Sequence, residues 1–315
     1  MPTRSVTIFG GSGFIGRHLV QRLAQRGWTI RVAVRRARRA QFLQPLGNVG
    51  QITPVAAALQ DAESIRAAVA GADAVVNLVG LLYEGGKQTF EAAHVRGPAL
   101  IAEAAQAAGV ADLVQMSAIG ADPQAEADYA RSKAAGEAAV RDAFADAVVV
   151  RPSIVFGPED GFFNRFAAMA RISPALPLIG GGHTRFQPVY VGDVAEAIAV
   201  ALERPECRGR TYELGGPRVY SFAELLRYLL VQIRCRRLLL PLPFGLAELQ
   251  GAILEKLPVP PLTRDQVRLL RSDNLVSEGA LTLADLGIEP TAVETVVPTY
   301  TDRYRPGGRF NVQAA

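Results

Sequence analysis

Short apolar runs alternate with amphipathic segments along the first half of the chain. Residues 5–9 form a short run rich in β-branched and aromatic residues, and after a glycine turn Ile15, Leu19 and Leu23 recur at helical spacing. The same alternation predicts further strands at 29–34, 74–79, 113–116 and 147–150 and helices at 64–70, 91–108 and 128–144. Alternating elements with continuously apolar strands are typical of a parallel sheet covered on both faces. We therefore predict an α/β fold with a Rossmann-type, doubly wound parallel sheet.

The pattern changes after residue 151, where loops rich in glycine and proline precede one further strand and helix at 187–202 and several helices bounded by proline. A chain of 315 residues is long enough for one large α/β domain that carries a smaller lobe. We expect a nucleotide-binding domain in residues 1–155, completed by about 183–214. The smaller C-terminal lobe would then contain residues 156–182 and 215–315.

Composition excludes several classes of protein. Hydrophobic residues make up 49% of the chain and charged residues 20%, as in a folded globular protein. The formal net charge of +4 comes from 34 basic and 30 acidic residues, so the surface is almost balanced and we expect no nucleic-acid partner. Two cysteines and three scattered histidines give neither a disulfide framework nor metal-ligand spacing. We expect no metal site.

The sequence shows neither the apolar segment of a secretory signal peptide nor a membrane-spanning segment, and our expectation for localisation depends on this. Glycines 10, 11 and 13 interrupt the N-terminal apolar run after five residues, which argues against a secretory signal. The long apolar windows contain charged residues or prolines and are too short or too broken to span a bilayer. We expect a cytoplasmic protein, and peripheral attachment to the cytoplasmic face of the inner membrane is compatible with this expectation.

A glycine-rich turn, Gly10-Gly11-Ser12-Gly13-Phe14-Ile15-Gly16, lies between the first predicted strand and helix. At such a position, backbone N–H groups and the helix dipole together favour a pyrophosphate, and glycine lets the ligand approach the backbone. The pattern opens a βαβ unit, so it predicts dinucleotide binding. The alternative is an ordinary tight turn followed by a closely packed helix.

Two arginines, Arg35 and Arg36, follow the second predicted strand. An acidic residue at this place would bind the ribose 2′-hydroxyl of NAD, whereas a guanidinium forms charge-assisted bonds to a 2′-phosphate. We therefore predict NADPH as the cofactor. Surface arginines in an arginine-rich protein are the alternative. RNA binding by the run that includes Arg38 and Arg39 is disfavoured, because no aromatic residues are interleaved with it.

Tyr129 and Lys133 are four residues apart on a predicted helix, so their side chains project from the same face. A nearby ammonium stabilises phenolate and is expected to lower the pKa of the tyrosine, which prepares it as a general acid or base beside a nicotinamide. Ser117, at the end of the strand predicted at 113–116, is the candidate to polarise a substrate carbonyl. Its alternative role is to bond the backbone at the strand end.

These motifs resemble the short-chain dehydrogenase/reductase superfamily, in particular its extended and atypical members related to epimerases and dehydratases. Further segments are similar to the NADPH-binding accessory subunits of respiratory complex I, NADH:ubiquinone oxidoreductase, and their bacterial relatives. The resemblance covers nearly the whole chain. It rests on the segments at residues 151–160, 163–167, 187–194, 262–265 and 286–288.

The resemblance implies a role for each part of the site. The glycines would meet the pyrophosphate, Arg35 the 2′-phosphate, Gly80 the adenosine side, and residues 152–155 the carboxamide. Tyr129 and Lys133 would hold the nicotinamide ribose. The cofactor-binding residues so predicted are Gly10, Gly13, Phe14, Ile15, Gly16, Arg35, Arg36, Gly80, Tyr129, Lys133, Pro152, Ile154 and Val155, and the catalytic candidates are Tyr129, Lys133 and Ser117.

Two residues depart from the family pattern. Ala58 stands where relatives often carry an acidic residue beside the adenine, and His94 replaces an asparagine that many active members place after the fourth strand. Two functions therefore stay open. One is an NADPH-binding accessory, assembly or stabilising subunit that associates with complex I subunits near the quinone site. The other is an NADPH-dependent reductase or epimerase that acts on a quinone precursor or a sugar nucleotide.

An apolar stripe at 238–257 also permits two interpretations. Its members recur at helical spacing and are Leu239, Leu242, Leu246, Leu249, Ile253 and Leu257. We expect the stripe to form the core of the C-terminal lobe. The alternative is a surface that docks on a membrane subunit or at the bilayer interface.

Overall fold

The computed structural model describes residues 4–86 and 88–308. Within them the strands are β1 (Ser5–Phe9), β2 (Thr29–Val34), β3 (Ile52–Ala56), β4 (Ala74–Asn77), β5 (Asp112–Met116), β6 (Val148–Pro152), β7 (Val155–Phe156), β8 (Ala175–Ile179), β9 (Arg185–Phe186), β10 (Val189–Tyr190), β11 (Thr211–Leu214), β12 (Tyr220–Ser221) and β13 (Leu238–Leu242). The α-helices are α1 (Phe14–Gln25), α2 (Ala62–Val69), α3 (Gly97–Ala107), α4 (Asp128–Ala143), α5 (Phe163–Ile172), α6 (Val191–Glu203), α7 (Phe222–Gln232), α8 (Phe244–Leu254), α9 (Arg264–Leu269) and α10 (Val293–Thr301).

The chain divides into two compact units. The first contains the chain up to Pro152 together with Gly192–Leu214 and Glu278–Ile288, and the second contains Ser153–Val191, Gly215–Ser277 and the chain from Glu289 onward. This division differs from the boundaries expected from the sequence in three places. Residues 153–155 and 183–191 belong to the second unit, and residues 278–288 belong to the first.

The first unit is built on a seven-stranded parallel sheet with the order β11-β6-β5-β4-β1-β2-β3. The α/β, Rossmann-type fold predicted from the sequence is thereby confirmed. Strand β1 lies between β2 and β4, so the strand order reverses at β1, and ligands of such sheets bind beyond the carboxyl ends of the strands at this reversal. The glycine turn follows β1 and therefore lies at this switch point.

The two outermost strands of the sheet were not predicted. Pro54 interrupts the apolar pattern of β3, and proline is tolerated there because an edge strand needs fewer ladder hydrogen bonds. Strand β11 is only four residues long and reaches the sheet from a distant part of the sequence. Edge strands carry weaker apolar signals than central strands, so the pattern detected the five inner strands alone.

The helix predicted at 91–108 begins as one π-helical segment, Glu91–Arg96, and continues as α3. Pro98 has no N–H and cannot donate to the carbonyl of His94, which an uninterrupted α-helix would require. A Cβ on Gly136 of α4 would lie 1.8 Å from that same carbonyl oxygen. Helix α4 therefore packs directly on the irregular turn, and glycine is required at the contact.

The second unit contains three two-stranded sheets, β7 with β10, β9 with β12, and β8 with β13. Its core is rich in aromatic side chains, and Phe156, Phe163 and Phe222 pack there with α7. A smaller cluster of Ile179, Ala247 and Val267 joins α8 and α9.

The expectation that the stripe at 238–257 forms the core of the lobe is wrong for most of its members. Leu246, Leu249, Ile253 and Leu257 are exposed. The physical reason is that α8 turns its small residues, Ala247 and Gly251, toward the protein. Among the residues that the structure describes, no helix combines the length and apolarity needed to cross a membrane.

Candidate functional site

The glycine turn has the geometry of a backbone cradle. Gly10 has a positive φ of 78°, and a Cβ there would lie 3.1 Å from the carbonyl carbon of Leu78. A Cβ on Gly16 would lie 2.5 Å from the oxygen of Gly10, so α1 packs against the turn only with glycine at this position. The motif therefore holds the start of α1 close to the ends of β1 and β4.

The first turn of α1 is open to a ligand. Gly13 is its exposed N-terminal cap residue and donates its N–H to the oxygen of Gly10 over 2.9 Å. Among the described residues no side chain caps this helix, and its first turn contains no acidic residue. Phe14 and Ile15 are half-buried beside this turn. Uncapped N–H groups and the positive end of the helix dipole together favour an anion.

Arg35 and Arg36 directly follow β2, so they lie at the carboxyl ends of the strands, as the glycine turn does. The N–H of Gly10 donates to the oxygen of Ala33 over 3.3 Å, so the end of β2 adjoins the glycine turn. Both arginines are exposed, and within the described chain neither forms an ion pair. The first 60 residues contain nine arginines and no acidic residue. The two guanidinium groups are therefore available to an anionic ligand.

A buried polar pair fixes the loop that follows β4. Asn77 donates from its side chain to Gln115 over 2.9 Å, and the N–H of Val79 donates back to Asn77 over 3.1 Å. Both side chains are buried at the carboxyl ends of neighbouring strands. This pair was not predicted from the sequence, although a polar residue at the end of each of two buried strands was the available signal.

Gly80, in this loop, lies beside the lysine of the predicted pair. A Cβ at Gly80 would be 3.2 Å from Lys133 Nζ and 3.7 Å from His94 Nε2. Any larger residue would therefore press on the ammonium group. The structure brings Gly80, Lys133 and His94 together.

The Tyr129 and Lys133 side chains share one face of α4, with Nζ 5.7 Å from the centre of the phenol ring. Burial lowers the pKa of Lys133 to about 8, against the opposing effect of the Glu137 carboxylate. Burial also raises the pKa of Tyr129 to about 12. The expected lowering of the tyrosine pKa is wrong, because desolvation of the phenolate outweighs attraction by the ammonium.

His94 is held by hydrogen bonds on both ring nitrogens. The N–H of Leu81 donates to Nε2 over 2.9 Å, so the ring proton is on Nδ1, which faces Ser132 Oγ at 2.8 Å. Ser132 Oγ in turn donates to the carbonyl of Tyr129 over 2.7 Å. Burial, followed by the charge of Lys133, lowers the pKa of His94 to about 3. The imidazole is therefore neutral near pH 7.

Phe90 and Tyr129 enclose the His94 ring. Phe90 stacks on it with centroids 5.2 Å apart, and Tyr129 meets it edge-on at 5.4 Å. His94 was identified from the sequence as a departure from the family pattern, but its partners Phe90 and Ser132 were not predicted. The spacing of Phe90 and His94, four residues apart, was the available signal.

Ser117 lies at the end of β5 with its hydroxyl buried. Its backbone N–H donates to Val150 over 2.7 Å, but its Oγ has no hydrogen-bond partner within the described residues. A buried hydroxyl without a partner costs about 1 to 3 kcal/mol. The side chain therefore does not bond the backbone, which was the alternative role, and it is free for a ligand.

One helical turn after Lys133, Glu137 of α4 forms an ion pair with Arg151. Arg151 Nε and one terminal guanidinium nitrogen donate to the two oxygens of the buried Glu137 carboxylate over 2.8 and 2.6 Å. Bonding to Glu137 raises the pKa of Arg151. This bidentate pair fixes the negative charge one helical turn beyond Lys133.

The remaining predicted site residues fall in different units. Pro152 ends β6 in the first unit, whereas Ile154 and Val155 belong to the second. Ala58 lies just after β3, and its N–H donates to Ser64 Oγ over 3.1 Å. Within residues 4–86 and 88–308, no group of three or more His, Cys, Asp or Glu side chains is placed to hold a metal ion.

The first unit thus fits a dinucleotide. A Cβ at Gly10 or Gly16 would occupy the space inside the glycine turn. The N-terminus of α1 and the two arginines offer positive charge. The Ser117 hydroxyl has no hydrogen-bond partner within the described residues. A bound dinucleotide would supply phosphates to the cradle and the arginines, and its nicotinamide would supply hydride chemistry near Tyr129.

Comparison with known proteins agrees with this site. The model of the NAD dependent epimerase/dehydratase family matches residues 6–215. The chain is 37% identical to "NADH dehydrogenase [ubiquinone] 1 alpha subcomplex subunit 9, mitochondrial" of Arabidopsis thaliana over 96% of this chain and 78% of that protein. It is 30% identical to the "NADH-ubiquinone oxidoreductase 40 kDa subunit, mitochondrial" of Neurospora crassa, over 99% and 82%.

Enzymes are also similar to this chain. A "Ceramide reductase" of Caulobacter vibrioides is 34% identical over 70% of this chain and 68% of that protein. Among solved structures, a dTDP-glucose 4,6-dehydratase from Streptomyces venezuelae with NAD and TYD bound superposes with a TM-score of 0.73. That match covers 95% of this chain and 96% of the other at 19% identity, so it concerns the fold alone.

Proposed function

Because the chain belongs to the NAD dependent epimerase/dehydratase family, we propose that it is an NADPH-binding accessory subunit that associates with respiratory complex I and supports its assembly or stability. The observation that carries this proposal is the contrast within one site. The nucleotide cradle is complete, whereas His94, which lies beside Gly80 and Lys133, is already hydrogen-bonded on both ring nitrogens.

The preference for NADPH rests on Arg35 and Arg36. They follow β2 at the edge where the glycine turn lies, and no acidic residue precedes Asp61 that could bind the 2′-hydroxyl of NAD. In this proposal Gly10, Gly13 and Gly16 hold the pyrophosphate, and Tyr129 and Lys133 bond the nicotinamide ribose. The arginines bond the 2′-phosphate.

The accessory role rests on His94. A relay behind Lys133 needs a group that can accept or pass a proton, but the Nε2 lone pair of His94 is already occupied by the N–H of Leu81. Tyr129, with its pKa raised to about 12, donates a proton far less readily than a phenol poised near neutrality. The site is therefore suited to holding a cofactor without turnover.

The proposed partners are complex I subunits near the quinone site. Similarity to complex I subunits from a plant and a fungus, over most of the chain, supports this assignment. We place the protein in the cytoplasm, in peripheral contact with the inner membrane. No metal and no nucleic acid takes part.

A reductase is the second candidate, and one observation favours it. The Ser117 hydroxyl is buried without a partner at the same sheet edge, as expected for a group that polarises a substrate carbonyl. Tyr129 and Lys133 are retained, and a ceramide reductase is among the similar proteins. This candidate is an NADPH-dependent reductase or epimerase that acts on a quinone precursor or a sugar nucleotide.

Purification of the tagged protein from detergent-solubilised native membranes tests the proposal. We expect complex I subunits to copurify and the bound nucleotide, released by acid and separated by chromatography, to be NADPH. Recovery of NAD, or of the protein without any complex I subunit, would contradict it.

A further inference from the structure

In the second unit, β13, α8 and the residues that follow carry many exposed apolar side chains. Of thirteen large hydrophobic side chains that are exposed within the described chain, seven lie between residues 238 and 259. We call the main members the leucine face. They are 49 to 66% exposed and comprise Leu238, Leu240, Leu246, Leu249, Ile253 and Leu257.

Helix α8 is oriented opposite to an ordinary surface helix. Its small residues point inward, since Ala247 is fully buried and a Cβ on Gly251 would lie 2.8 Å from the N of Arg264. Its large residues, including Leu249 and Ile253, point outward. A surface helix normally buries its apolar stripe, so this orientation indicates that the outer side is covered by something apolar.

The charged side chains beside the leucine face that form no ion pair within the described chain are basic. Glu248 pairs with Arg271 at 2.7 Å and Glu255 pairs with Arg264 at 2.8 Å, so the acidic groups of α8 and its end are neutralised within the protein. Arg236, just before β13, and Lys256, just after α8, are exposed and form no ion pair among the described residues.

An apolar surface with a cationic rim is complementary to an anionic bilayer. Apolar side chains enter the acyl boundary while arginine and lysine meet the phosphate groups. A second copy of the chain fits less well, because self-association would bring two cationic rims together. With no membrane-crossing helix in the described chain, such a contact would be peripheral.

We propose that the leucine face docks this protein on a membrane that contains anionic phospholipids. Leu246, Leu249 and Ile253 are the residues that enter the interface, and Arg236 and Lys256 are those that bind headgroup phosphates. The inference rests on the membrane contact included in the proposed function, whereas its test uses vesicles without complex I, so that the two can fail separately.

Cosedimentation of the purified full chain with vesicles tests the inference. Binding to vesicles of phosphatidylcholine with 30% phosphatidylglycerol is expected to exceed binding to pure phosphatidylcholine. The double variant Arg236→Ala and Lys256→Ala should bind about thirtyfold more weakly, since each basic residue near an anionic surface contributes about 1 kcal/mol. Ile253→Asp should abolish binding, and Val49→Asp, a fully exposed residue of the first unit, is the matched control.

The outcomes separate the alternatives. Equal thermal unfolding of wild type and variants shows that each variant is folded. The inference would be overturned if the wild-type protein bound neither kind of vesicle. It would also be overturned if the double variant and Ile253→Asp bound as well as Val49→Asp. A dimer in size-exclusion chromatography that Ile253→Asp dissociates would assign the face to a second copy and would also overturn it.

Discussion

At the scale of single residues, the sequence predicted where the candidate site residues lie in the fold but not their electrostatics. The glycine turn, Arg35 and the Tyr129–Lys133 pair lie at one edge of the sheet or on the helix predicted for them. The pKa of Tyr129 was predicted with the wrong sign, because burial is a property of packing that helical spacing does not reveal. One hydrogen bond of His94 comes from Leu81, in a loop thirteen residues away, so the spacing of residues along the helix did not predict it.

Arg35 provides the first prediction at this scale. The change Arg35→Ala is expected to weaken NADPH binding about tenfold or more, since a charge-assisted bond contributes about 1.5 to 3 kcal/mol, and to leave NADH binding unchanged. Calorimetric titration with both cofactors measures it. Arg39→Ala, on the same exposed segment, is the matched control. An equal loss for both cofactors, or none, would remove Arg35 from the 2′-phosphate site.

His94 provides the second prediction, through its pKa of about 3. The unfolded chain binds more protons than the folded one between pH 6.5 and 3, so the stabilising contribution of neutral His94 is complete above pH 6.5 and is lost as the pH falls toward 3. We expect His94→Asn to lose less stability than wild type over this range. Urea unfolding at pH 7, 5 and 4 measures the free energy of unfolding of both proteins. The same decrease with pH in wild type and variant would refute the low pKa of His94.

Tyr129 provides the third prediction at the scale of single residues. Tyr129→Phe is expected to leave NADPH affinity within about tenfold of wild type, because one hydrogen bond to the ribose contributes about 0.5 to 1.5 kcal/mol. Wild type and variant should both fail to oxidise NADPH with quinone and sugar-nucleotide panels, followed by absorbance. Robust oxidation that Tyr129→Phe slows by about a hundredfold would establish the reductase instead.

At the scale of elements, the inner strands of the sheet and most flanking helices were predictable, whereas irregular elements were not. Central strands are buried on both faces and read as continuous apolar runs. The edge strand β3 contains a proline, and the π-helical turn Glu91–Arg96 arises from a proline at position 98 together with packing by α4. The orientation of α8 was also missed, since periodicity shows that a stripe exists but not which side faces the protein.

Gly136 tests the packing at the π-helical turn. A methyl group there would lie 1.8 Å from the oxygen of His94, so Gly136→Ala is expected to destabilise the fold by about 3 kcal/mol or more. Gly245→Ala in α8, where a Cβ meets nothing within 4 Å, is the matched control and should stabilise slightly. Urea unfolding compares the two, and a neutral Gly136→Ala would mean that α4 does not pack as described.

At the scale of the whole molecule, the fold does not decide between an enzyme and a subunit. A dehydratase has the same architecture, and both complex I subunits and a reductase are similar in sequence, so function has to be argued from the site. The first unit provides a complete nucleotide cradle, and both ring nitrogens of His94 are already hydrogen-bonded. The second unit provides an apolar, cationic-rimmed surface suited to docking. Both features agree with a protein that holds a cofactor within an assembly.

The most direct test is native electrophoresis of solubilised membranes from cells that express the tagged protein. We expect the tag to comigrate with NADH dehydrogenase activity and the excised band to contain NADPH that added quinone does not oxidise. Recovery of the protein only as a free species, or loss of the bound NADPH on addition of quinone, would contradict it.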